Sequence, residues 1–265
     1  MIRILLYKKT YFIHFLSSLY SIFCMFLVLP SPIQRLLYLF MLFLFILTIW
    51  SWRVWGRKDP MLPGNGLGDT DKTCFTTDTQ YAFQHTGLNT SDIKEYIRNP
   101  HKFNTKWEMD GKYYNLWSTD NERTDANDEV VIKSVYDPSP VGYSLPASNA
   151  FTGFTITGQN VGSWPNPLTP EQLAQLNVKG DFDKGWYFYT KPNKQGNIIF
   201  FVACNYRTLE GLGVLTNVTN FGWYWSTGAI SNIASRILGF GREGIFPFHY
   251  DYRLYAICVR SAEEK

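Results

Sequence analysis

The first fifty residues contain two long uncharged runs that a Pro-Ser-Pro break separates. Residues 11–29 carry no charge and, at about 1.5 Å per residue, are long enough to cross a hydrocarbon core of about 30 Å. Residues 36–52 follow the break and end in tryptophans, which favour membrane interfaces. The pattern predicts an apolar N-terminal helical hairpin within residues 1–53, with a membrane as the partner of residues 10–52.

Basic residues flank every end of both runs, so the charge bias does not fix the orientation of the hairpin. If both runs span the membrane, the rest of the chain lies on the same side as the N-terminus. If one spans, the rest lies on the opposite side. A cleavable signal peptide is not indicated, because no small-residue cleavage site follows a short apolar core. The alternative is a translation start assigned too early or a frame disruption.

After residue 53 the pattern changes to short aromatic and β-branched runs between polar turns, which predicts a globular domain over residues 54–265. Ser91 can cap one short helix, and Thr169 can cap another that has Pro170 at its first position and Gln172 at the capping-box position. The predicted strands are residues 130–135, 185–189, 197–202, 222–225 and 253–259. Many short irregular strands with two short helices predict an α+β fold.

Charge is distributed unevenly along the chain. Residues 1–53 carry five basic residues and no acid, whereas the remainder carries 20 basic residues and all 22 acids. Binding to a phosphate backbone requires clustered Lys and Arg on the folded part, and no such cluster is visible. Nucleic acid is therefore not expected as a partner.

The cysteines and histidines do not form a recognisable reactive or metal-binding motif. The four cysteines lie far apart with no C-x-x-C pair: Cys24, Cys74, Cys204 and Cys258. We expect the three in the domain to be buried free thiols, with a bridge between any two of them as the alternative in an oxidising compartment. The histidines stand apart from any nucleophile and carboxylate pattern. No metal, no cofactor and no catalytic residue is expected.

Five motifs follow one another over residues 54–262. They are Trp55-Gly-Arg-Lys-Asp-Pro60, Val135-Tyr-Asp-Pro-Ser-Pro-Val-Gly-Tyr-Ser-Leu-Pro146, Asn149-Ala-Phe-Thr-Gly-Phe154, Phe200-Phe-Val-Ala-Cys-Asn-Tyr-Arg207, and Tyr224-Trp-Ser226 with Cys258-Val-Arg260. In this order they resemble the Fibrobacter-type major paralogous domain of Bacteroidetes surface and fimbrillin-like proteins. The resemblance implies a C-type-lectin-like fold, related in shape to formylglycine-generating enzymes and to the receptor-binding proteins of diversity-generating retroelements. It also implies a cell-envelope location, with the globular domain outside the cytoplasm.

Particular residues of these motifs carry structural expectations. Trp55 and Trp225 are expected to fill the core, and Gly142 to adopt a backbone angle that other residues resist. Two departures from the family stand out. The apolar hairpin replaces the strand that usually precedes the first motif, and Ser139 stands where many relatives carry Cys, so that a disulfide from this position is not expected.

In the resembled fold the ligand surface is generally built from loops near the C-terminal end, which implies residues 226–252 here. Within them we expect a glycan or protein ligand to contact a run of rings and hydrogen-bonding tips: Phe248, His249, Tyr250, Asp251 and Tyr252. The alternative is that the rings at 246, 248 and 250 pack beneath the loop. Calcium-dependent sugar binding is not expected, since no Glu-Pro-Asn or Trp-Asn-Asp element offers clustered oxygen ligands.

These observations lead to the expectation of a non-enzymatic, membrane-anchored binding or adhesion module. The alternatives are a structural subunit or tip of a surface appendage and a truncated, non-functional paralogue. An enzyme of the formylglycine-generating type is disfavoured, because it needs a closely spaced reactive cysteine pair and Cys204 is distant in sequence from Cys258.

Overall fold

A computed structural model describes residues 52–54, 84–88, 95, 98–99, 102–106, 116–119, 131–209, 213, 219–231 and 233–264. This part of the chain is mostly β-sheet with few helices, which confirms the α+β class at that level. Residues 1–51 of the predicted N-terminal hairpin and the motif at Trp55 lie outside the described residues. At Trp52 and Arg53 the hairpin prediction is wrong, because these residues belong to a strand that pairs with residues 256–258. Among the residues that are described, no helix is both long and apolar enough to span a bilayer.

The strands are short and follow one another along most of the described chain. They are β1 (Trp52–Val54), β2 (Gln84–Leu88), β3 (Lys102–Asn104), β4 (Tyr143–Ser144), β5 (Val161–Gly162), β6 (Val178–Lys179), β7 (Gly185–Lys191), β8 (Gln195–Val202), β9 (Tyr206–Arg207), β10 (Phe221–Ala229), β11 (Ala234–Gly241), β12 (Gly244–Tyr252), β13 (Ala256–Cys258) and β14 (Ala262–Glu263). Helical structure occurs in a 3₁₀ helix (Ser148–Phe154), in α1 (Pro170–Ala174) and at residues 95 and 98.

Helix α1 begins as its sequence predicts. The Thr169 side chain accepts a hydrogen bond from the Gln172 backbone N–H at 3.3 Å, and the Gln172 side chain accepts one from the Thr169 N–H at 3.0 Å. Pro170 occupies the first turn, where its missing N–H costs no helical hydrogen bond. The predicted capping box is therefore confirmed.

Within the described ranges, seven strands form the main sheet in the order β1–β13–β10–β11–β12–β5, with β9 also paired to β13. Its neighbouring strands are antiparallel except for β10 and β13, which are parallel. Strands β6, β7 and β8 form a separate antiparallel sheet, and β2–β3 and β4–β14 form two-stranded pairs. The long central strands β10, β11 and β12 thus form a continuous antiparallel unit.

Apolar side chains cover both faces of the main sheet. On one face Trp225 packs with Trp117 and Ile257, and its indole N–H donates to the Arg53 carbonyl at 2.8 Å. Trp225 is fully buried, so its predicted core role is confirmed. On the other face Tyr224 belongs to a second core, in which Phe154 of the 3₁₀ helix stacks on Phe188 of β7. Phe201 of β8 packs edge-on against both rings.

The motif over residues 135–146 forms a loop that hydrogen bonds hold from inside. The buried Asp137 carboxylate accepts the backbone N–H groups of Ser139 at 2.7 Å and Leu145 at 2.9 Å. The Lys133 ammonium donates to three carbonyl oxygens of the same loop at 2.6 to 2.8 Å. Gly142 has a φ of +80°, which confirms the predicted need for glycine at that turn.

Ser139 pairs with a residue near the end of the chain. The Ser261 hydroxyl donates to the Ser139 hydroxyl at 2.7 Å, and the adjacent β14 pairs with β4. This hydroxyl contact links the loop to the C-terminal segment.

The expectation that residues 226–252 are loops is wrong. They form the end of β10 and the β11–β12 hairpin, with a tight turn between Gly241 and Gly244. The expectation came from the resembled fold alone. The strand also accommodates Pro247, because the register shifts between Ile237 and Gly239 opposite this part of β12. Such an irregularity is a position at which a strand tolerates proline.

Of the five predicted strands, three are confirmed, one is wrong and one is shorter than expected. Residues 185–189, 197–202 and 222–225 lie in the observed β7, β8 and β10. At 130–135 the prediction is wrong over the described positions, where Lys133 makes an isolated bridge to Ser118 instead of a strand. The last predicted strand is shorter than expected, because β13 covers Ala256–Cys258.

Candidate functional site

A surface groove of about 590 Å³ lies at the open end of the β11–β12 hairpin. Its lining comes from the turn that joins β10 to β11 and from the facing ends of β11 and β12. The lining residues are Ile230, Ser231, Ile233, Ala234, Arg236, Tyr250, Asp251 and Tyr252. The structure thus brings three of the predicted site residues, Tyr250, Asp251 and Tyr252, into one groove.

Hydrogen bonds fix the backbone on both sides of the groove. The Ser231 hydroxyl accepts the N–H groups of Ile233 and Ala234 at 3.2 and 3.0 Å and closes the turn. The buried Arg253 donates through Nε to the Ala234 carbonyl at 3.2 Å and to the Ser235 hydroxyl at 2.9 Å. The start of β11 is therefore tied both to the turn and to the residue that follows β12.

Two tyrosines and an arginine lie on the same face of the hairpin. Tyr250 pairs with Arg236 and Tyr252 pairs with Ala234 in the antiparallel register, so their side chains project from one face. Tyr250 is 58% exposed and Tyr252 is 50% exposed. The Arg236 guanidinium donates to the Phe248 carbonyl at 2.9 Å, which holds its positive charge at the groove wall.

Asp251 lies between the two tyrosines in sequence and pairs with Ser235. Burial raises the pKa of its carboxyl to about 7, although the Tyr252 N–H donates to Oδ1 at 2.8 Å and favours the ionised form. The carboxyl therefore exchanges a proton near neutral pH. Because successive strand residues alternate, this side chain projects from the hairpin face opposite that of Tyr250 and Tyr252.

Phe248 and His249 do not line the groove. The Phe248 N–H donates to the Asn160 side chain at 3.2 Å, and the Phe248 carbonyl accepts the hydrogen bond from Arg236. His249 packs between Trp164 and Trp223, with ring centroids 5.6 and 5.3 Å away. Burial lowers the pKa of the His249 imidazole, and the positive charge of Arg236 lowers it further.

Sequence reasoning missed the half of the groove that β11 and its preceding turn supply. Arg236 was the available signal, since it is the one charged residue in the strand sequence Ala234–Gly241. A charge in an apolar strand has to reach solvent or a polar partner. The isoleucines of the turn give no comparable signal, because their position beside Tyr250 depends on strand register.

A second cavity of about 390 Å³ lies near α1. Its lining residues are Pro165, Pro167, Leu168, Leu173, Asp181, Phe182, Trp186, Arg242 and Glu243. The Arg242 guanidinium lies 5.6 Å from the centroid of the Phe182 ring, within cation–π range. Phe182 and Trp186 are 8% and 2% exposed, so this cavity offers a ligand far less aromatic surface than the groove.

Cys204 and Cys258 lie together although they are distant in sequence. Both side chains belong to the buried core that includes Tyr224, and the Cys204 thiol donates to the Trp223 carbonyl at 3.7 Å. Both are buried free thiols, as the sequence predicts for these two positions, and they line neither cavity. Cys74 lies outside the described residues.

Metal-binding groups are not apparent in the part of the chain that the structure describes, where no three His, Cys, Asp or Glu side chains cluster to hold an ion. Comparison with known proteins gives no match to a family model, to a curated protein or to a solved structure. The functional argument consequently depends on the geometry of the groove.

Proposed function

We propose that this chain is a non-enzymatic binding or adhesion module of the cell envelope, and that the groove is its ligand site. The observation that carries the proposal is the pair of half-exposed rings of Tyr250 and Tyr252 beside Arg236, on a hairpin whose backbone is fixed by hydrogen bonds. Aromatic rings with polar tips on a rigid support are typical of recognition surfaces.

The chemistry of the groove suits a saccharide. The C–H face of a sugar ring can pack on a tyrosine ring, and sugar hydroxyls both donate and accept hydrogen bonds. Arg236 supplies hydrogen-bond donors to the groove. The volume of about 590 Å³ lies within the usual range of small-molecule sites.

Membrane anchoring through residues 10–52 and an extracytoplasmic location belong to the same proposal. The support for anchoring is the pair of uncharged runs, residues 11–29 and 36–52. The support for the location is the order of the five motifs, which resembles the Fibrobacter-type major paralogous domain with its C-type-lectin-like fold. The most distinctive of these motifs, residues 135–146, forms the loop that Asp137 and Lys133 hold by hydrogen bonds.

Absence of catalysis is also part of the proposal. The Cys204 and Cys258 side chains are 8% and 3% exposed, and a nucleophile has to contact its substrate. The structural alternative, an appendage subunit, draws support from a different surface. Val135 and Val141 are 73% and 97% exposed, and exposed apolar side chains favour a protein partner.

The test uses the full chain in detergent micelles, applied to immobilised oligosaccharides and to envelope proteins. We expect saccharide binding that falls at least about 10-fold when Tyr250 and Tyr252 are both replaced by alanine, because about 1 kcal/mol or more is lost per removed anchor ring. Tyr187→Ala is the matched control, since Tyr187 is 43% exposed on the separate β7 sheet. Unchanged binding by the double variant contradicts the proposal. High-mass species in native membranes without saccharide binding favour the appendage subunit.

A further inference from the structure

A kink in the backbone brings Cys204 to the side of the sheet on which Cys258 lies. In a regular strand, residues 204 and 206 project to the same side. Asn205 between them has a φ of +50°, a left-handed conformation that asparagine tolerates better than most residues. Tyr206 consequently packs against the core of Trp225, whereas Cys204 enters the opposite core together with Cys258.

Strand pairing fixes the two cysteines in this arrangement. Ile257 pairs with Tyr206, and Cys258 pairs with Tyr224, the neighbour of the Trp223 carbonyl to which Cys204 donates. The Asn205 N–H donates to the Phe221 carbonyl at 2.7 Å, which anchors the kink to β10. Both sulfurs therefore lie beside the same stretch of β10 and within the same buried core.

We propose that Cys204 and Cys258 form a reversible disulfide that locks β13 to the segment between β8 and β9 when the chain meets a disulfide oxidant. The reaction is thiol–disulfide exchange. Both thiols are buried in the folded chain, so exchange takes place when β13 and the segment between β8 and β9 open transiently. In the open state the Cys204 thiolate attacks one sulfur of an oxidant such as glutathione disulfide and releases one glutathione thiol. The Cys258 thiolate then attacks the Cys204 sulfur and displaces the second glutathione as a thiol. The two protein thiols are oxidised by two electrons to a disulfide, and glutathione disulfide is reduced to two glutathione thiols.

The disulfide would act on the centre of the main sheet. Strand β13 has three residues and pairs with β1, β9 and β10, so its attachment affects both cores. Cross-linking positions 204 and 258 restricts the unfolded chain more than the folded one. The expected consequence is higher stability under oxidising conditions, whatever ligand occupies the groove.

The experiment treats the folded full chain in detergent micelles with glutathione disulfide, blocks the remaining thiols with N-ethylmaleimide and digests the product for mass spectrometry. We expect a linked peptide pair containing Cys204 and Cys258, about 2 Da lighter than the sum of its reduced parts and released by dithiothreitol. The oxidised chain should unfold about 5 to 10 °C higher than the reduced chain.

A Cys258→Ala variant supplies the control, because it should lose both the linked pair and the oxidation-dependent shift in melting temperature. Recovery of Cys204 and Cys258 as blocked thiols after oxidation overturns the proposal. Links from either residue to Cys24 or Cys74 in the folded chain also overturn it. If the variant fails to fold, the peptide map of the unaltered chain still decides between these outcomes.

Discussion

Asp251 illustrates how a single position in the groove responds to burial. Its carboxyl pairs with the Ser235 position on the hairpin and has a pKa raised to about 7 by burial. In an unfolded chain an aspartate titrates near pH 3.9. The folded state therefore holds the proton more strongly between about pH 4 and 7. The stability that this residue contributes is fully present below about pH 4 and is lost as the pH rises through about 7.

Replacing Asp251 by asparagine should remove this pH dependence. We expect the free energy of unfolding of Asp251→Asn, relative to the unaltered chain, to increase by about 1 to 2 kcal/mol between pH 5 and pH 8, after allowance for partial solvent screening. Urea unfolding followed by tryptophan fluorescence in micelles measures the difference. The titration of His249 occurs in both proteins, so its contribution cancels from the difference between their free energies of unfolding. A difference between the two proteins that stays constant from pH 5 to pH 8 would contradict this explanation.

Other residue-scale features were predictable because their causes are local. The capping box of α1 depends on residues three apart, and the positive φ of Gly142 depends on one turn. The contact between Cys204 and Cys258 was not predictable, since it requires the left-handed Asn205 and the pairing of β9 with β13. The spacing of the cysteines along the chain does not show which strands pair, so it cannot show that the two residues meet.

At the scale of elements, the β11–β12 hairpin shows the limit of pattern reasoning. Its residues were expected to form loops because the resembled fold generally builds its ligand surface from loops near the C-terminal end. The structure places them in the main sheet, with burial that decreases along β12 from Gly244 to Tyr252. The strand is buried at its start and half-exposed at its end, so its sequence shows neither continuous apolarity nor strict alternation. The groove is found where the hairpin leaves the core.

The loop over residues 135–146 permits a test of an element held by one side chain. Asp137→Ala should lower the free energy of unfolding by about 2 to 4 kcal/mol, because two backbone N–H groups lose a charged acceptor at a buried position. Denaturant unfolding of the full chain in micelles measures the loss. Asp183→Ala, at an exposed position, should leave the unfolding midpoint unchanged. A midpoint for Asp137→Ala equal to that of this control would show that the loop does not depend on the carboxylate.

At the scale of the whole molecule, the main sheet separates the two cores, and the groove lies at one end of its central strands. The division between a basic, largely apolar first fifty residues and a weakly acidic remainder is visible in the sequence, and so are the β-rich character of the domain and the core role of Trp225. The sheet order could not be predicted, because β13 and β1 join it from opposite ends of the domain. In the proposed function, residues 10–52 anchor the chain to the membrane and the groove near the other end of the sequence binds the ligand.

Protease accessibility in intact cells tests most directly whether the domain is an outward-facing binding module. A tag after Lys265 is followed in intact cells, in cells with a permeabilised outer membrane and in detergent lysates. We predict digestion in intact cells, or at the latest after permeabilisation of the outer membrane, because the domain is proposed to lie outside the cytoplasm. Protection in both preparations, with digestion in the lysate alone, would place the domain in the cytoplasm and contradict the proposed envelope function.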